Sequence, residues 1–331
     1  MPSFRPDLAR QVIGVPHAAI LSVVFGLFLA AFPMGAFVVF ASDIGGDINY
    51  ELPLTHLDLF EGTELHRTPS PISVGDAFVV IWALYLVIFA VATLGPSGGF
   101  GSTISGIMAG RYNLAYGRAR AGPAPNYMLG TVAWFSILVL ASVAITAVQS
   151  SVGIATTPPA ADNRLIEFLH ITFAPIVEET GFRLLLVGVP VFLLYADRFS
   201  PRYLAGCLWR PGMLEIGSMR RAAAVIVFVG VMFGFLHIAL GDPWSEGKFA
   251  QATAGGIILG WAYVRYGFVT SVLIHWASNY FVFSHVHFIS QTHIIAIEDA
   301  FSHTMISSIE IILVICGILS AVALYISTRP P

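Results

Sequence analysis

Three ionisable side chains, Glu178, Glu179 and Arg183, stand together in the middle of an otherwise apolar run that extends from 165 to 196. A charge at the centre of a bilayer costs about 2.5–3.5 kcal/mol even on lenient insertion scales. Ionisable groups kept there face a bundle interior or a water-filled cavity, and they mark a functional site by default. Glu179 and Arg183 are spaced i,i+4, so a helix places them on one face as an ion pair. Glu178 is then the carboxylate without a local partner. Two further apolar runs carry polar groups at the same spacing. Phe233 and His237 lie one helical turn apart, and so do His275 and Asn279. Three helices would thus bring acids, two imidazoles and an amide into the membrane. That inventory suits water-driven hydrolysis of an amide. A carboxylate and an imidazole can hold and deprotonate a water. A second imidazole and a carboxamide can donate hydrogen bonds to the oxyanion that forms at the attacked carbonyl. Taken singly, each motif has a plainer reading. The glutamates with Arg183 make a structural ion pair, and a lone intramembrane His or Asn is interhelical glue. Phe233 reads as a packing residue that shapes the wall around His237. The three motifs together favour one shared site.

The elements that must position these residues follow from composition. Of 331 residues 56% are hydrophobic and only 11% charged, whereas a soluble domain is nearer a quarter charged. The expected class is all-α: a polytopic transmembrane bundle whose active site is formed inside the membrane by three to four helices. Eight runs reach the roughly 20 apolar residues a span needs, at 17–41, 72–95, 127–149, 165–196, 222–240, 250–266, 268–290 and 304–326. The first is long for a signal-peptide core and suits a span. Twelve of the sixteen Lys and Arg residues fall in the tails and alternate loops, which puts both termini in the cytoplasm of a cell membrane. The opposite loops hold Arg67, Arg164 and Lys248. One of them, 43–71, is acidic and reads as an external cap. Residues 1–126 form the N-terminal spans and 127–331 the core bundle. The Gly/Ser-rich stretch 97–110 reads as an interfacial or re-entrant piece. A net charge of −3 gives no reason to expect a nucleic acid partner. Cys207 and Cys316 do not suggest a disulfide framework.

The motifs Glu-Glu-x-x-x-Arg, Phe-x-x-x-His and His-x-x-x-Asn, in that order, resemble those of the CPBP family of intramembrane proteases. That family includes the type II CAAX prenyl endopeptidases and also bacteriocin-processing and immunity proteins. The stretch from Gly255 to Gly267, leading to His275, is similar to the family's approach to its third motif. The resemblance covers residues 165–280. It implies that Glu178 is the water-activating acid with His237 as its partner. His275 and Asn279 would form the oxyanion site, with Glu179 and Arg183 in support. The substrate it implies is a C-terminal segment of a membrane-associated protein, with a prenylated CAAX end as one form.

Two other functions use the same residues. A catalytically silent member would bind a partner or confer immunity, and a proton-coupled transporter would use the Glu and His groups as a relay. The sequence shows no half-to-half repeat of the kind transporters carry. Zinc is open as a cofactor, with Glu178, His237 and His275 as a ligand set. Asn279 favours the metal-free alternative, since an amide is a poor zinc ligand. His285, His287, His293 and His303 crowd one end of the last two runs and read as surface or interfacial residues. Residue counting from the helix ends gives discordant depths. At 1.5 Å per residue, His275 lies about 12 Å into its run, against about 28 Å for Glu178.

Overall fold

The computed structural model describes residues 6–53, 69–94, 98–110, 126–157, 163–216, 218–239 and 244–328. The chain is mostly helical. In order, the helices are α1 (Pro6–Ala41), α2 (Val74–Leu94), α3 (Phe100–Met108) and α4 (Tyr127–Ser151). Then come α5 (Arg164–Glu179), α6 (Val189–Tyr195), α7 (Pro201–Trp209), α8 (Met219–Ala239) and α9 (Lys248–Tyr266). The last four are α10 (Phe268–Trp276), α11 (Val282–His293), α12 (Ile297–Phe301) and α13 (Thr304–Thr328). A π-helical segment, Thr180–Gly188, joins α5 to α6, and a second, Ala277–Phe281, joins α10 to α11.

The all-α expectation needs one correction. Strands β1 (Glu51–Pro53) and β2 (Pro69–Ser73) pair antiparallel, with Glu51 opposite Ser73 and Pro53 opposite Pro69. They belong to the acidic loop, whose carboxylates Asp58, Glu61 and Glu64 lie outside the described residues. The stretch read as interfacial or re-entrant contains the short helix α3. Its Ile107 is buried, and the Ile107 carbonyl lies so close to Gly14 of α1 that a Cβ there would clash.

Among the described residues five stretches are long and apolar enough to cross a bilayer: Val12–Ala41, Val74–Leu94, Tyr127–Ser151, Met219–Ala239 and Ile297–Ile326. The other three expected spans are helical too, but none meets that measure. Two are interrupted by the π segments, and α9 opens on the polar sequence Lys-Phe-Ala-Gln-Ala-Thr. These three carry most of the motif residues.

Capping chemistry sets two key starts. Asn126 accepts from the backbone N–H groups of Met128 and Leu129 to open α4, and Asn163 accepts from Leu165 and Ile166 to open α5. A cluster of buried aromatic rings holds the centre. Trp276 sits edge-on to Phe89 at 4.8 Å and Phe28 at 5.6 Å and stacks on Phe32 at 5.5 Å. Phe168 of α5 stacks on Tyr280 at 5.5 Å. Rings packed in this way fix the rotation of α10 and of the π turn after it.

Helices α8 and α9 are held unusually close by glycine. A Cβ on Gly256 would lie 2.9 Å from the Cα of Gly230, and one on Gly234 would lie 2.8 Å from the Phe249 carbonyl oxygen. Small residues let helix backbones approach where lipid gives no hydrophobic drive. His237, three residues beyond Gly234, is carried into the bundle by this contact.

Candidate active site

The expected pair of Glu179 and Arg183 is present. Arg183 Nε lies 3.1 Å from Glu179 Oε2, and both side chains are fully buried. The guanidinium also donates to the Gly256 carbonyl at 3.5 Å and lies over the Phe233 ring at 4.8 Å. Glu179 has a second partner that spacing alone does not reveal. Its Oε1 accepts from His275 Nδ1 at 2.9 Å. The carboxylate therefore ties the first motif to the third, with Arg183 on one oxygen and His275 on the other.

Glu178 has no such fixture. Its Oε2 stands 3.8 Å from His275 Nε2, too far for a direct hydrogen bond, and has no hydrogen-bond partner among the described residues. Its side chain keeps 30% of its exposure, while Glu179 has none. Adjacent carboxylates thus have different surroundings, one locked and one available.

The two imidazoles are oriented by their Nδ1 atoms. His237 Nδ1 bonds to the Phe233 carbonyl at 2.8 Å. As donor, Nδ1 leaves Nε2 with a free lone pair in the neutral ring. His275 Nδ1 is likewise engaged by Glu179, so its Nε2 accepts when the ring is neutral and donates when the ring is cationic. Phe233 stands between them, with its ring centroid 4.5 Å from that of His237 and 5.9 Å from that of His275. It is the wall the sequence suggested, and it bounds His275 as well.

Phe233, His237, His275 and Asn279 line one cavity of about 620 Å³, within the 300–1,000 Å³ usual for ligand sites. Asn279 lies in the π segment that follows His275, and π turns recur at functional sites. The cavity continues between the second half of α4, the first half of α9, and α13 from Ile306 to Leu313. Spacing did not single out Lys248, Gln251, Ser278 or Glu310, which also line it, and His285, read from the sequence as a surface or interfacial residue, lines it too. Lys248 had one available signal: it is the only lysine in the chain.

The discordant depths have a structural explanation. The turn between α9 and α10 rests on α7 and the 3-10 turn after it. Gly267, at φ +96°, lies so close to Trp209 that a Cβ would come 2.7 Å from its carbonyl oxygen. Tyr263 OH donates to the Leu208 carbonyl at 2.7 Å, and Trp209 packs on Phe268 at 5.5 Å. The start of α10 is therefore raised on a helical floor, and counting from it understates how deep His275 lies.

The surface reading of the distal histidines is corrected for two of them. His285 and His287 are buried, and His293 and His303 face each other with ring centroids 4.7 Å apart. Among the described residues no three His, Cys, Asp or Glu side chains come together as a metal-ligand set. Cys207 and Cys316 are both free and buried.

Apolar helices that enclose a carboxylate pair, two oriented imidazoles and an amide beside a cavity define a multi-pass membrane protein with a polar intramembrane site. Residues 163–281 match the family described as Type II CAAX prenyl endopeptidase Rce1-like, and all three motifs fall within the matched segment. No curated protein and no solved structure matches the chain.

Proposed function

We propose that the protein is an intramembrane endopeptidase that hydrolyses a peptide bond near the C terminus of a membrane-associated protein. The observation that carries this reading is the asymmetry of the two glutamates. Glu179 is fully buried, ion-paired with Arg183 at 3.1 Å and hydrogen-bonded to His275 at 2.9 Å, while Glu178 keeps 30% of its exposure and comes no nearer than 3.8 Å to His275.

In the proposed reaction a water is held by Glu178 and by the Nε2 lone pair of His237. Glu178 takes its proton as the oxygen attacks the scissile carbonyl. The tetrahedral oxyanion receives hydrogen bonds from the Asn279 amide and from His275 Nε2–H in the imidazolium form. The Glu179 carboxylate on Nδ1 orients the ring toward that oxyanion. Glu178 then gives the proton to the leaving nitrogen, and the products are a new carboxyl terminus and a free amine. No metal enters these steps. Eight crossings of the cell membrane, with both termini cytoplasmic, complete the proposal. The arginine distribution supports that orientation.

Purified protein incubated with fluorogenic peptides in prenylated and bare forms tests the reading. Cleavage by the wild type, lost in Glu178→Ala, is the expected result. Cleavage unchanged in Glu178→Ala removes the assignment. No cleavage of any peptide by the wild type favours a silent, partner-binding protein or a transporter. Equal turnover of the prenylated and bare forms removes the lipid from the substrate definition.

A further inference from the structure

The proposed chemistry leaves two charged side chains of the cavity unused, Lys248 and Glu310, of which Lys248 is the cation. Lys248, the first residue of α9, lines the same space as His237, His275 and Asn279. Its ammonium lies over the Trp244 ring at 3.9 Å. Among the described residues it has no ion pair, although Glu178 acts on it electrostatically. An ammonium in a partly enclosed apolar cavity has lost hydration that a ring face replaces only in part. Such a group is set to receive an anion.

The path between Lys248 and the histidines is largely apolar, with Ala252, Gly255, Leu259, Phe281 and Val282 among its walls. The cavity therefore fits a short run of aliphatic side chains that ends in a negative group. On the endopeptidase reading, the chain end of the substrate is that group. We propose that Lys248 binds the free C-terminal carboxylate of the substrate. It thereby fixes how many residues separate the scissile bond from the chain end. This inference rests on the proposed endopeptidase function and adds the feature by which the site would select a C-terminal segment. The first turn of α9 assists, since the positive end of a helix dipole also favours a carboxylate there.

Two peptides of one sequence, one ending in a free acid and one in an amide, test the assignment with full-length protein in detergent. The wild type is expected to turn over the acid about 10- to 100-fold faster than the amide in kcat/KM, the usual size of a hydrogen bond to a charged group. Lys248→Met should bring that ratio to about one, mainly through KM, while Lys248→Arg should keep most of the preference. A second arm measures binding of both peptides to Glu178→Gln, which cannot complete the reaction. The same preference for the acid is expected there, and it should vanish in Glu178→Gln/Lys248→Met. Equal binding of acid and amide to Glu178→Gln, or a Lys248→Met protein that keeps the wild-type ratio, overturns the carboxylate site. A wild type that cleaves neither peptide, while Glu178→Gln still prefers the acid, removes the endopeptidase reading and leaves the carboxylate site standing.

Discussion

At the scale of single residues, the two adjacent glutamates should behave oppositely. Glu178 makes no hydrogen-bonded ion pair among the described residues, its contact with His275 being 3.8 Å long, so Glu178→Gln should leave thermal stability in detergent near that of the wild type. Its loss should lower peptide cleavage on the order of 10²–10⁴-fold, the span for a general base. Arg183→Ala instead leaves the fully buried Glu179 with His275 alone. Breaking a buried pair costs about 3–5 kcal/mol because the remaining charge is uncompensated, so folded yield and activity should both fall. The double change Glu179→Gln with Arg183→Gln should recover part of the yield but not the activity, because it removes the carboxylate that holds His275 Nδ1 at 2.9 Å. An Arg183→Ala protein as stable as the wild type would show that the contact at 3.1 Å contributes nothing to the fold. The metal-free reading makes a separate prediction at this scale. Activity should survive exhaustive chelation, since Asn279 in the site is an amide and a poor zinc ligand. Stoichiometric zinc by elemental analysis, with activity restored only by adding it back, would overturn that.

At the scale of elements, the glycine contact of α8 with α9 sets the position of His237. A side chain at Gly234 meets Thr253 Oγ1, but also the Phe249 carbonyl oxygen and the Thr253 nitrogen at 2.8 and 3.0 Å. Two of these are backbone atoms, which cannot rotate away. Gly234→Val should therefore separate the helices, destabilise the protein by about 1–3 kcal/mol as overpacking does, and displace His237. Misplacing a catalytic group by about 1 Å costs roughly 100-fold, so cleavage should fall by about that factor. Gly26→Ala is the control, because nothing lies within 4 Å of a Cβ there. It should be as active as the wild type. Thermal melts and kcat/KM on both variants decide it, and a fully active Gly234→Val would show that His237 is positioned by something else. The π segments act at the same scale. Each widens a helical turn at a motif, one just after Glu179 and one just after His275.

At the scale of the whole molecule, the ends of the bundle can be matched to each other. His17 near the start of α1 bonds to Ser320 near the end of α13 at 3.1 Å, so the two termini share one end. The cavity lies among the second half of α4, the end of α8 and the starts of α9 and α13, at the opposite end. With the termini cytoplasmic, as proposed from the arginine distribution, the cavity should open away from the cytoplasm. Single cysteines at Met213, beside the α9–α10 turn, and at Glu246, just before α9, test this. Both positions are exposed, and the native Cys207 and Cys316 are buried and give low background. A membrane-impermeant maleimide applied to intact cells should label Glu246→Cys and spare Met213→Cys. The reverse pattern would invert the orientation and point the cavity at the cytoplasm.

The sequence by itself determined the helical class, the membrane setting and the local pair of Glu179 with Arg183. These follow from apolar composition and i,i+4 geometry, which need no knowledge of where other helices lie. It also picked out the residues of the candidate site, because a charge or imidazole in an apolar run is costly enough to stand out one residue at a time. Tertiary structure alone decided that Glu179 holds His275, separated by 96 residues in the chain, and so which glutamate is locked and which is available. It also decided that the α9–α10 turn rests on α7, which reconciles the depths that residue counting left discordant. Lys248 joined the cavity only through the close approach of α8 and α9. A partner distant in the chain leaves no periodic trace, and a helix floor has no signature in hydropathy. Both appear only when packing brings the segments together.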